Sequence, residues 1–193
     1  MEIKQKKFSN KHVFKFGDES LNFAFKDKTG SDDFDLHYAN FPDKSSVSIE
    51  RNEWLRNVGG LWCLLGCYQL GTAIYNDLPL TGRGFWLLIG LLCLGWFAFT
   101  KIKYSVFKTE YGNIFVMNDR KHDQIIDEIK SRKKAQLSAW YGEINLDNGL
   151  DHEISKFRWL AEMDVITDQE AEEKIAAVEF AHKSDDSHGN ILN

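Results

Sequence analysis

Two stretches, NVGGLWCLLGCYQLGTAIY at 57–75 and GFWLLIGLLCLGWFAFT at 84–100, decide the architecture of this chain. Neither contains Lys, Arg, Asp or Glu. At ~1.5 Å rise per residue the shorter covers about 25 Å, a little under a ~30 Å hydrocarbon core. A chain of 193 residues has little other apolar surface with which to wrap two such helices. The expectation is therefore two transmembrane helices.

The segment between them, NDLPLTGR, contains Pro79 and Gly82, which break helix and leave room only for a tight antiparallel return. Gly59, Cys63, Cys67 and Gly71 recur at every fourth position, so small side chains line one face where a neighbouring backbone can approach. Gly90, with Cys93 and Ala98, offers a similar face on the second helix. Arg51 and Arg56 precede the pair, Lys101, Lys103 and Lys108 follow it, and only Arg83 lies in the loop. The positive-inside rule then predicts an inner-membrane protein with both termini cytoplasmic.

Charge is uneven along the chain. The formal total is −5. Residues 1–56 carry 10 basic and 10 acidic side chains, residues 101–140 carry 9 and 5, and residues 141–193 carry 4 and 13. All three cysteines fall in the apolar middle, so neither a disulfide framework nor a zinc site is indicated. The opening MEIKQKKFSNKH lacks the apolar run of a secretory signal.

Outside the apolar middle, period-two alternation predicts strands. Val13, Phe14 and Phe16 mark one; Leu21, Phe23 and Phe25 mark a second; Phe34, Leu36 and Tyr38 mark a third after the turn KDKTGSDD. Val47 with Ile49, then Ile102, Tyr104 and Val106, then 114–117, supply three more, and strands from both sides of the hairpin are expected to join one sheet. A helix capped by Asn118 or Asp119 runs through HDQIIDEIKSRKKAQL. Strands closed by an amphipathic helix, over residues 10–50 and 101–139, resemble a bacterial pleckstrin-homology-like (PH-like) domain. The resemblance rests on element order alone.

The tail reads as a helical pair. Ile154, Phe157, Leu160 and Ala161 mark a first helix, and Thr167 with Glu170 forms a capping box for a second. With its Ile-Thr start, 150–178 is similar to the SHOCT module, although Glu-Met-Asp stands where a glycine often precedes the Ile-Thr. The resemblance implies association, through Phe157, Leu160, Ile166 and Ile175, with another copy or with a protein partner.

The fold expected is α+β: an antiparallel PH-like sheet with a closing helix, interrupted by a two-helix transmembrane hairpin and followed by a small helical pair. Its parts are 1–52 (first strands), 53–100 (hairpin), 101–140 (remaining strands and helix), 150–182 (helical pair) and 183–193 (a disordered end).

Chemistry is sparse. The six histidines are scattered with no metal-ligand spacing, and Asp27, Asp32, Asp33 and Asp35 lack a calcium-loop pattern. No phosphate loop or nucleophile elbow is present, so no enzyme, metal or cofactor is expected. Lys101, Lys103, Lys130, Arg132, Lys133 and Lys134 form a basic patch suited to anionic membrane lipid, whereas the acidic tail disfavours nucleic acid. The function expected is a non-enzymatic, membrane-anchored scaffold. The alternatives are a membrane-active effector with an oligomerising hairpin, for stress or phage defence, and an anionic-lipid sensor.

Overall fold

The computed structural model describes residues 1–189. The chain is α+β, with two antiparallel sheets and, among the described residues, five α-helices. Two compact units are present.

The first unit begins with a four-stranded meander, β1 (Glu2–Lys7), β2 (Asn10–Phe16), β3 (Ser20–Lys26) and β4 (Ser31–His37), in sequential order. Period-two alternation explains it: Phe14, Phe16, Leu21, Phe23 and Leu36 are buried, while the intervening positions face outward. Phe14 and Phe23 are Cα partners across β2 and β3, with ring centroids 5.0 Å apart. The strand β1 was not legible. Of EIKQKK, only Ile3 and Gln5 turn inward, and a buried glutamine breaks the apolar signal.

After a 3-10 turn at Tyr38–Asn40, this unit continues with α3 (His122–Tyr141), α4 (Leu150–Glu162) and α5 (Asp168–Gly189). The expected cap at Asn118 or Asp119 is displaced. Lys121 occupies the N-cap position and makes no side-chain cap bond. Ile125, Ile129 and Leu137 are buried at helical spacing on α3. Polar groups fasten that helix: Gln136 Nε2 donates to the Glu19 carbonyl (2.7 Å), and its Oε1 accepts from the Ala39 amide (2.8 Å). The disordered end expected from residue 183 is helical as far as Gly189, and the rest of it, 190–193, lies outside the described residues.

The second unit holds β5 (Ser46–Glu50), α1 (Glu53–Tyr75), α2 (Phe85–Phe99) and most of β6 (Ile102–Lys108) and β7 (Asn113–Met117). The strands from the two sides of the hairpin do pair, with Glu50 opposite Ile102, so residues 51–101 leave and return at one rung of the ladder. They form a sheet of their own, β5-β6-β7, rather than joining the meander as expected. Its core is Ile102, Tyr104, Val106 and Met117.

The helical hairpin forms, but the transmembrane assignment does not hold: among the described residues no helix is long and apolar enough to cross a membrane. At ~1.5 Å per residue, α2 with its 15 residues reaches about 22 Å against a ~30 Å core. The 23 residues of α1 are long enough, but Asn57, Tyr68, Gln69, Thr72 and several glycines dilute their apolarity. The inner-membrane location and the orientation built on these spans are withdrawn with them.

Candidate functional site

The C-terminal pair is held by two local devices. At the end of α4 the Asp164 amide donates to the Ala161 carbonyl and the Val165 amide to the Leu160 carbonyl, both at 2.9 Å, with Asp164 at φ 54°. This is a Schellman stop with aspartate in the left-handed position usually held by glycine. At the start of α5 the expected capping box is present: the Glu170 carboxylate accepts from the Thr167 amide (2.8 Å), and the Glu170 amide donates to Thr167 Oγ1 (3.2 Å). The Thr167 amide, and then its hydroxyl, hold the Glu170 carboxyl below its ordinary range.

Of the four residues expected to meet a partner, Phe157 and Leu160 are fully buried with Leu137 and Val178. The ammonium groups of Lys156 and Lys174 lie 4.5 and 5.5 Å from the centre of the Phe157 ring. Ile166 and Ile175 are half-buried against the same core. Phe157 and Leu160 therefore fasten the pair to α3 and are not presented outward.

What the pair does present is a groove of about 590 Å³, lined from α4 by Arg158, Ala161 and Glu162 and from α5 by Asp168, Ala171, Glu172, Ile175, Ala176 and Glu179. Its floor is small and aliphatic, and its rim carries four carboxylates against one guanidinium. Among the described residues none of these five charged groups makes an ion pair within the chain. Ile175 was expected here; the alanines were missed. Their spacing at 171 and 175/176 is the available signal, but alanine is equally a simple helix former.

A second exposed surface is the hairpin. The two helices approach closely at glycine: a Cβ on Gly90 would lie 2.6 Å from Cys63 Sγ, and one on Gly66 2.6 Å from the Leu87 Cβ. Trp62 and Trp86 stack at 4.2 Å. Of the expected small-residue face, Gly59, Cys63 and Gly90 lie at this contact. Gly66 replaces Cys67 and Gly71, since Cys67 is exposed and Gly71 has open space. The outer edges, including Leu64, Tyr68, Leu88, Leu92 and Trp96, are 58% to 72% exposed. Scaled from the area of a large side chain, the hairpin exposes on the order of 2,000 Å² of apolar surface, well beyond the ~300–600 Å² patch of an ordinary monomer.

Two cations of the expected basic patch are engaged within their own unit. Lys133 is buried, its ammonium donating to the Phe41 carbonyl (2.8 Å) and to Asp43 (2.7 Å). Arg132 donates to Glu128 (2.6 Å) and to the Gly17 carbonyl (2.7 Å), and its guanidinium lies 5.7 Å from the Tyr38 ring centre. Lys130 and Lys134 are exposed on α3, while Lys101 and Lys103, also exposed, belong to the other unit.

No family model, characterised protein or solved structure matches this chain. The PH-like and SHOCT-like resemblances therefore have no support, and the α3–α5 assembly stands on its own geometry. The acidic residues near 27–35 serve the β3–β4 turn. Asp27 accepts from the Thr29 hydroxyl and from the Thr29 and Gly30 amides, and these bonds hold its carboxyl below the ordinary range. Asp33 accepts from the Asn22 side chain. Among the described residues no three His, Cys, Asp or Glu side chains are grouped to hold a metal ion.

Proposed function

We propose that this is a non-enzymatic interaction protein that docks a protein partner through its C-terminal helical pair. The observation that supports this is the groove between α4 and α5, whose small floor residues let another backbone approach and whose rim charges have no partner within the described chain. The frame around it is pre-organised: Phe157 and Leu160 lock α4 to α3 and α5, so little ordering remains to oppose binding.

The test is an Ala176→Arg variant of the full chain, because Ala176 is exposed and a long side chain there fills the groove without entering the core. Wild-type protein purified from its source should form a complex of defined mass, and the variant should run at the mass of the free protein with an unchanged melting curve. Identical complexes from both would refute docking at this groove.

A second proposal, self-association through the hairpin, is favoured by its large uncharged surface. That area exceeds the ~800 Å² per partner buried in a standard interface, and a second copy brings an equally uncharged face. The anionic-lipid alternative has less behind it, since two of its four helix cations hold α3 in place.

A further inference from the structure

Resting on the docking proposal above, we infer that the occupant of the α4–α5 groove is an amphipathic helix with a small aliphatic face flanked by lysine or arginine. Three features of the groove select this chemistry. Its α5 wall, with Asp168, Ala171, Ile175 and Glu179, repeats at the spacing of one helical face, so the hollow runs along α5 and matches a rod rather than a compact small molecule. Its rim is strongly one-signed, with Glu162, Asp168, Glu172 and Glu179 against Arg158. Finally, three of those carboxylates stand on α5, where Asp168 and Glu172 repel one another.

The third feature carries the choice of sign. Asp168 and Glu172 stand four residues apart on one helix, an arrangement that weakens an isolated helix, and Glu179 lies beyond the first turn, where the helix dipole no longer favours an anion. A cationic flank relieves this repulsion on binding, whereas an anionic flank adds to it. An extended strand is a poorer fit, because it needs an open sheet edge and both walls here are helices with satisfied backbones.

The experiment titrates full-length protein into two fluorescent synthetic helices that share an alanine-leucine face and differ only in lysine or glutamate flanks. The lysine peptide should bind about tenfold or more tightly, with the advantage shrinking as salt rises from roughly 0.05 to 0.5 M. Glu172→Lys with Glu179→Lys should reverse the preference, both sites being exposed. Equal, salt-insensitive binding of the two peptides would overturn the charge assignment, and binding of neither would overturn the helical occupant. If neither binds while the native complex still requires Ala176, docking stands and only the partner class falls. If neither binds and the native complex is indifferent to Ala176→Arg, both fall.

Discussion

Asp164 sits at φ 54°, a conformation that costs a side-chain-bearing residue about 1 kcal/mol or more and costs glycine nothing. Asp164→Gly should therefore stabilise the protein by about 1 kcal/mol, read as a rise in the denaturant midpoint, because the Schellman bonds to Leu160 and Ala161 are unchanged. Glu153 behaves oppositely. Burial pushes its carboxyl up, but donors from Lys156 (2.6 Å), Asn148 (2.7 Å) and the Asn145 amide (3.1 Å) outweigh burial and hold it below the usual carboxylate range. A carboxylate depressed in the folded state stabilises fully above its unfolded pKa, and that contribution is lost as pH falls through the folded value. Glu153→Gln should cost roughly 3 kcal/mol near neutral pH, since it leaves the largely covered Lys156 ammonium without its counter-ion. The gap to wild type should narrow in denaturation midpoints as pH falls below the ordinary glutamate range, about 4, and a constant gap would contradict the ion pair. Lys133→Met should lose about 1–2 kcal/mol, because the buried Phe41 carbonyl loses its donor, whereas Lys130→Ala and Lys134→Ala should stay within about 0.5 kcal/mol. The Glu153 and Lys133 contacts were not legible in the sequence, whereas Asp164 stood out as the residue in a position often held by glycine. KSRKK reads as four equivalent surface cations, and only the fold turns Lys133 inward.

Elements were legible where a period dominates. The strands at Val13–Phe16, Leu21–Phe25 and Ile102–Val106 carry their alternation openly, and the two apolar stretches gave the helices of the hairpin with ends displaced by no more than four residues. What failed was the inference from apolarity to a membrane span, since helix length and polar interruption decide that question. Failure also attended the sheet count. The 3-10 turn at Tyr38–Asn40 separates the meander from β5, and alternation says nothing about which strands become neighbours. The helix contact itself is testable by glycine. Gly90→Ala drives a methyl against Cys63 and the Gly59 carbonyl, and Gly66→Ala drives one against Leu87, so each should force the helices apart and cost several kcal/mol. Gly71→Ala and Gly95→Ala meet open space and should stabilise by up to about 1 kcal/mol, from helix propensity alone. Thermal melts of the four variants check the pattern, and equal effects would refute the close approach.

At the scale of the whole molecule, the hairpin's exposed side chains set its expected association. Taking the contact between the helices as the inside of the pair, Leu61, Leu64 and Tyr68 lie on the outer edge of α1, and Leu88, Leu92 and Phe99 on the outer edge of α2. The two edges point in opposite directions, so a contact that covers one leaves the other open to a further copy. A self-association built on such a hairpin does not stop at two subunits unless a ring closes. The expected outcome is a concentration-dependent mass in sedimentation, greater than that of a dimer, with Cys67 on the exposed side of α1 available to a thiol cross-linker. Leu88→Glu together with Leu92→Glu places charges on one edge without touching the α1–α2 contact, and should cap assembly at a dimer through α1 or reduce it to monomer. A wild-type chain that stays monomeric at high concentration, or is recovered only with added lipid vesicles, would refute self-association and leave the α4–α5 groove as the surface on which a protein partner is to be sought.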